Sequence, residues 1–196
     1  MLHFFHGVMG SSKTAQLLMQ RYNYLQLGLR VALVKPAVDT RISVNTVYSR
    51  VGLKAEAEIV LEPGHSVQEQ LNWLAVQQAH SDFEYIFVDE AQFLTEEQVQ
   101  EIADMADDRE IFCYGLKTDF MGQFFPGSAA LFRLAEDIQE VTGGLCWCGK
   151  KATMNTRIDS KGNVIKQGEQ VMIDNQDEIK YIGLCYKHWR EGKSHA

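Results

Sequence analysis

The amino-acid sequence predicts an α/β fold, a parallel sheet with crossover helices over residues 1–143 followed by a small C-terminal β lobe over residues 144–196. Three observations predict it. An apolar run, Leu2-His3-Phe4-Phe5-His6, enters the polar segment Gly7-Val8-Met9-Gly10-Ser11-Ser12-Lys13-Thr14, after which Ala15, Leu17, Leu18, Tyr22 and Leu25 recur at helical spacing up to Gly28, a helix-stop residue. Residues 30–34 follow as a buried strand, so strand, loop, helix and strand make a βαβ unit, which crosses over right-handedly into a parallel sheet. Beyond Gly143 the character changes: of the four cysteines, Cys146, Cys148 and Cys185 all lie in the C-terminal quarter.

The first loop carries the clearest chemistry. A glycine, a tight polar loop and Lys-Thr opening a helix form a phosphate-binding loop: backbone N–H groups cradle phosphate, Lys13 reaches the β/γ oxygens, and the Thr14 hydroxyl can ligate Mg²⁺. The usual pattern has a second glycine where this chain has Ser12, while Gly10 keeps the loop flexible. A nucleoside triphosphate is the expected ligand.

Residues 35–52 hold Asp39, Arg41, Ser49 and Arg50 just past a strand's C-terminal end, where open α/β sheets place their ligands. Arg41 is a candidate phosphate contact or a plain surface arginine. Residues 59–61 read as a short strand, and residues 66–80 as a helix turning Val67, Leu71, Leu74 and Val76 inward. Residues 83–88 are apolar enough for a central strand and end in Asp89-Glu90-Ala91-Gln92. Apolar residues running into Asp resemble a Walker B strand, whose carboxylate binds Mg²⁺ directly or through water. The adjacent Glu90 can serve as a base toward whatever attacks the γ-phosphate. Thr95-Glu96-Glu97-Gln98 is a capping box that starts a helix running to about Met105. After a strand at 111–115, the loop 116–127 places Phe120, Phe124 and Phe125 among Gly and Pro, either to line a pocket for a flat ring or to pack. Ser128 then caps a helix through Leu134, and 138–141 supplies one more strand.

At the C-terminal end, Cys146-Trp147-Cys148 is a C-x-C knuckle and Cys185-Tyr186-Lys187-His188 a C-x-x-H pair, separated by a long segment. Two chelating pairs joined by a loop are what tetrahedral Zn²⁺ with Cys₃His ligation needs. Four protein ligands leave no open position, so the expected metal is structural and holds a segment too small to own a core. Between the pairs, residues 153–158, 171–173 and 179–184 read as short strands, with a turn at Lys161-Gly162-Asn163. Cys113 reads as a core thiol, and the residues after Trp189 as a polar, frayed tail.

Composition limits the partners. With 196 residues, 45% of them hydrophobic, the chain can hold one full domain and a small appendage. A net charge of −7 and the lack of a basic patch argue against a nucleic-acid partner. No apolar run of about 18 residues and no basic n-region occur, so the expected protein is cytoplasmic and not bound to a membrane.

Gly7 to Thr14, Asp39-Thr40-Arg41, Asp89-Glu90-Ala91-Gln92-Phe93, Leu116-Lys117-Thr118-Asp119-Phe120 and the C-x-C with C-x-x-H pattern together resemble the cytosolic, zinc-containing (type II) thymidine kinases, in their bacterial branch. The resemblance covers essentially the whole chain. It implies a RecA-like P-loop domain with a zinc-tied lasso, and transfer of the ATP γ-phosphate to the 5′-hydroxyl of thymidine, giving dTMP and ADP for nucleotide salvage. It also implies Glu90 as general base. Gly7, Val8, Met9, Gly10, Ser11, Ser12, Lys13, Thr14, Arg41, Asp89, Glu90, Ala91 and Gln92 form the implied ATP-binding set, with Thr14 and Asp89 for Mg²⁺. Met9, Phe93, Leu116, Phe120, Phe125, Asn155, Val171, Met172, Ile173 and Tyr181 match positions around the nucleoside. A homotetramer and feedback inhibition by dTTP are implied in the same way. The sequence departs from the family at Ser12 and at residues 174–179, which are longer than the Gly-Gly turn usual before Tyr181.

Two other readings share parts of this pattern. A helicase-like ATPase would use the same loop and Glu90 to orient water, but the sequence carries no second motor domain and no basic surface. The C-terminal segment alone could be a zinc-ribbon binding module. Thymidine should stimulate ATP turnover by a kinase, and DNA turnover by a motor.

Overall fold

The computed structural model describes residues 1–39, 43–78, 82–171 and 179–196. Among them the chain runs β1 (Leu2–His6), α1 (Lys13–Gln26), β2 (Val31–Pro36), β3 (Thr46–Tyr48), β4 (Lys54–Glu56), β5 (Ile59–Leu61), α2 (Val67–Gln77) and β6 (Tyr85–Val88). A 3₁₀ turn (Ala91–Phe93), α3 (Glu96–Met105), β7 (Glu110–Gly115), α4 (Pro126–Leu134) and β8 (Asp137–Glu140) follow. The chain ends with β9 (Met154–Asp159), β10 (Val164–Ile165), β11 (Ile179–Leu184) and α5 (Tyr186–Glu191).

Six strands form one sheet in the order β5-β2-β6-β7-β1-β8, and every neighbouring pair is parallel. Helices must then cover both faces, which is why β2, β6 and β7 are apolar on both. On one face Phe4, Val34, Val88 and Cys113 pack under Leu71 of α2, Ile102 of α3 and Leu131 of α4. On the other, Leu33, Phe87, Phe112 and Tyr114 pack under Leu17 and Leu18 of α1. Cys113 is the expected core thiol, its pKa pushed up by burial. No helix among the described residues is long and apolar enough to cross a membrane.

The helix ends follow their local chemistry. Thr95 and Gln98 form the predicted reciprocal capping box, and the Ser66 side chain caps α2 by accepting from Glu69 N. Ser128 is not a cap. Pro126 opens α4, because its fixed φ suits the first helical position, and the Ser128 hydroxyl donates to Leu116 O at 2.6 Å.

Two predicted helix faces are rotated. In α1, Ala15, Leu17 and Leu18 are buried but Tyr22 and Leu25 are exposed, while Tyr24 lies edge-on to Tyr85, Phe87 and Phe112. The stripe that meets the sheet is 17, 21, 24, and it includes Arg21, whose guanidinium pairs with Glu58. A polar member hid that stripe from a hydrophobicity count. In α2, Ala75 is buried and Val76 exposed.

The C-terminal segment forms an antiparallel sheet, β10-β9-β11. Its unpredicted short strand, β10, closes the turn at Gly162. Val171 is outside any strand, and Met172 and Ile173 lie outside the described residues, as does Arg41. The tail is tied down, contrary to expectation: Lys193 O accepts from Trp147 Nε1 at 3.1 Å, and Ser194 Oγ donates to Gly162 O.

Candidate active site

At the carboxyl end of β1 the chain folds back on itself. Gly7 N donates to Gly115 O of β7, and a Cβ at Gly7 would lie 2.5 Å from Ser11 Oγ and 2.8 Å from Val141 O. Only glycine permits that approach. The nearly buried Lys13 sits inside the curl, its Nζ donating to Val8 O at 2.9 Å and Gly7 O at 3.2 Å. Ser12, at φ 69 and ψ 22, occupies a left-handed conformation and makes no side-chain cap bond to α1. That conformation costs an L-residue about 1–2 kcal/mol, which is the physical content of the missing glycine.

β6 delivers the carboxylates to the same place. The Thr14 hydroxyl donates toward Asp89, with oxygen separations of 3.1 and 3.2 Å. Glu90 is also left-handed, at φ 51, so the chain turns sharply at the strand end. Gln92, 1% exposed, donates from Nε2 to Glu90 Oε2 at 2.5 Å and accepts from Leu116 N at 2.9 Å. Expected from sequence to belong to the ATP set, Gln92 braces Glu90 against the end of β7.

Met9, Lys13, Thr14, Glu90 and Leu116 face one cavity of about 160 Å³. The same cavity is lined by Tyr48 and Arg50, brought over the start of α1 by the β3–β4 hairpin. In the sequence Arg50 stands only in a charged segment, because the fold-over that aims it is tertiary. Asp39 pairs with the buried Lys35 at 3.4 Å, and Lys35 also donates to Ser43 O at 3.0 Å and Thr46 O at 2.8 Å. Lys35 thereby ties the end of β2 to Ser43 and to the start of β3.

The residues matched to the nucleoside fall into connected groups. Phe120 and Phe125 are buried, and Phe93 lies edge-on to Phe125 at 5.7 Å. Phe124 is half exposed and turns to Phe132 instead. The Asn155 carboxamide is engaged at both ends, accepting from Met9 N at 2.8 Å and donating to Thr118 O at 2.7 Å. It therefore ties the phosphate loop to the aromatic loop. Tyr181 faces Arg157 across the β9–β11 ladder, an arginine that no sequence signal singled out. His6, behind the loop, has its pKa lowered by burial; Glu140 opposes this, and Lys117, Lys13 and Lys151 add to it.

The cysteine–histidine cluster forms as predicted. Ligand atoms of Cys146, Cys148, Cys185 and His188 all lie within 4.8 Å of one another, and His188 Nδ1 is 3.3 Å from Cys146 Sγ and 3.5 Å from Cys185 Sγ. The edge of a tetrahedron with Zn–S of about 2.3 Å is roughly 3.8 Å, so the set fits Zn²⁺. Burial alone would raise the Cys146 thiol, but the Cys148 and Cys185 amides, His188 and the Cys148 thiol bring it down to about 6. That favours the thiolate a metal needs. Trp147 stacks on the His188 ring at 4.2 Å.

A parallel sheet whose strand ends aim a phosphate loop and Glu90 into one cavity, with Asp89 held against Thr14, defines a P-loop nucleotide-binding protein. A family model described as thymidine kinase matches residues 1–189. The thymidine kinase of Enterobacteria phage T4 is 41% identical over 192 residues, covering 97% of this chain and 95% of that protein. Those of Rhizobium meliloti (39% over 199 residues, 97% of this chain and 98% of that protein) and Yersinia pestis (36% over 192 residues, 97% and 94%) match comparably. The chain belongs to the thymidine kinase family and is a phosphotransferase. Among solved structures, Pif1 helicase from Candida albicans aligns with a TM-score of 0.42 and 10% identity, over 71% of this chain and 35% of that one, a likeness too weak to argue for a motor.

Proposed function

We propose that the protein transfers the γ-phosphoryl group of ATP to the 5′-hydroxyl of thymidine, giving dTMP and ADP. The observation that carries this reading is that Glu90 faces the same cavity as Lys13 and Thr14. A carboxylate that shares a cavity with the Lys-Thr pair of the loop supports a base beside the triphosphate, while family membership supplies the acceptor.

Lys13 and the loop amides hold the triphosphate and stabilise charge on the transferring group. Thr14 and Asp89 are the residues that would hold Mg²⁺. Their oxygen separations of 3.1 and 3.2 Å resemble the roughly 3 Å between neighbouring ligands of an octahedral Mg²⁺. When bound, the ion would neutralise charge on the β- and γ-phosphates. Glu90, aimed by Gln92, takes the proton from the 5′-hydroxyl as its oxygen bonds to the γ-phosphorus and the bond to the β-phosphate oxygen breaks. Met9, Phe93, Leu116, Phe120, Phe125 and Tyr181 form the nucleoside side, with Val171 at its edge. Cys146, Cys148, Cys185 and His188 hold a structural zinc. The same reading divides the chain into an ATP-binding part, 1–143, and a lasso, 144–196, in a cytoplasmic homotetramer inhibited by dTTP.

The test is product formation by zinc-replete protein given ATP, Mg²⁺ and thymidine. dTMP is expected. ATP hydrolysis that ignores thymidine and rises with DNA would overturn the reading in favour of a motor.

A further inference from the structure

Arg157 has no part in the chemistry above, yet it is the largest fully buried side chain among the described residues, 1% exposed. Its guanidinium lies 3.8 Å over the centroid of the Phe120 ring and 5.2 Å from that of Tyr181. Nε donates to the Tyr181 hydroxyl at 2.8 Å, and Nη2 to Glu169 O at 3.0 Å. A Cβ added at Gly168 would lie 3.3 Å from Nη1. Among the described residues its partners are two rings, a hydroxyl and a carbonyl, and none is a carboxylate.

A guanidinium is always charged, and burying one without a counter-ion is unfavourable. Ring faces and neutral acceptors offset only part of that cost. Methionine would fill the space with no charge to desolvate, so filling space does not account for an arginine here. What arginine does is join three segments far apart in sequence: the loop after β7 through Phe120, β11 through Tyr181, and the chain beyond β10 through Glu169. Gln170 repeats the connection, its Nε2 donating to Asp119 Oδ2 at 3.0 Å and Phe124 O at 3.2 Å. Residues 168–171 are thereby stitched to the aromatic loop.

We propose that Arg157 is the positioning residue of the acceptor side. By latching 168–171 and Tyr181 against Phe120 it preorganises the wall that seats the nucleoside, without touching the phosphate side. This rests on Phe120 and Tyr181 facing thymidine, as in the function proposed above.

The test uses zinc-loaded full-length protein, comparing wild type with Arg157→Met, Arg157→Lys and Gln170→Ala. Steady-state kinetics in both substrates are combined with hydrogen exchange of the 168–171 amides, with and without thymidine. Losing bonds from a charged donor predicts a rise in KM for thymidine of about tenfold or more in Arg157→Met. KM for ATP should stay within about twofold, with kcat less affected than KM for thymidine, and the 168–171 amides should exchange faster. Arg157→Lys, which keeps the charge over Phe120 but loses the fork, should fall between, and Gln170→Ala should shift the same quantities less. Unchanged KM for thymidine with unchanged exchange overturns the proposal. So does a parallel loss of zinc, ATP binding and thymidine binding, which would make the residue structural only. Wild type that makes dTMP while the variants behave normally sinks the latch alone; wild type that makes none, with 168–171 exchange indifferent to thymidine, sinks the latch and the kinase reading together.

Discussion

Replacing Ser12 by glycine should stabilise this protein, and the size of the effect follows from one dihedral angle. Ser12 sits at φ 69 and ψ 22 with no capping bond from its side chain. Removing its Cβ relieves about 1–2 kcal/mol of left-handed strain. The extra freedom of glycine in the unfolded chain takes back roughly 0.5–1 kcal/mol. The net gain is about 0.5–1 kcal/mol, and in a chain of this length each kcal/mol moves Tm by about 2–4 °C. A rise of about 1–4 °C is therefore expected for zinc-loaded protein followed by circular dichroism, with a higher urea midpoint and an unchanged m-value. Ser12→Ala keeps the strain and should leave stability within about 0.5 kcal/mol of wild type. A glycine variant less stable than wild type, together with a destabilised alanine variant, would instead show that the hydroxyl makes a bond outweighing the strain.

Three further outcomes are expected. Gln92→Leu removes both the donor to Glu90 and the acceptor for Leu116 N, so kcat should fall about tenfold or more while KM for ATP holds, with about 1–3 kcal/mol lost in urea unfolding. His6 has its pKa lowered from 6.5 by burial; the unfolded chain then binds the proton more readily, so stability is complete above about 6.5 and is lost as pH falls toward the folded value. Denaturation midpoints measured from pH 7.5 to 5 should drop less in His6→Gln than in wild type. Chelating the metal out of the zinc-loaded enzyme should melt the β9–β11 sheet and raise KM for thymidine, while a fluorescent ATP analogue still binds, because Lys13 and its loop hang from the main sheet.

Much of the fold was legible because its signals are local. The glycine-rich loop, the apolar run into Asp89-Glu90, the capping box at Thr95 and the paired cysteines each state their geometry within a few residues. What escaped depends on packing at a distance. The inward face of α1 is set by Tyr24 and by Arg21 paired to Glu58, and hydrophobicity pointed one stripe over. Pro126 outranked Ser128 as the start of α4. Tyr48 and Arg50 reach the cavity only because the β3–β4 hairpin folds across α1. The roles of Gln92, Asn155 and Arg157 lie in what their side chains bridge, and a bridge has no signature at either end of the sequence it joins. Such residues look like ordinary polar positions until the structure shows both partners.

In the proposed mechanism Glu90 is the base for an acceptor hydroxyl facing the phosphate loop. The most direct measurement compares the rate of dTMP formation from ATP, Mg²⁺ and thymidine by wild type and Glu90→Gln, both zinc-loaded. For Glu90→Gln, kcat should fall by at least about a hundredfold, the low end for removal of a general base, with KM for ATP little changed. Equal rates of dTMP formation by the two proteins would contradict it.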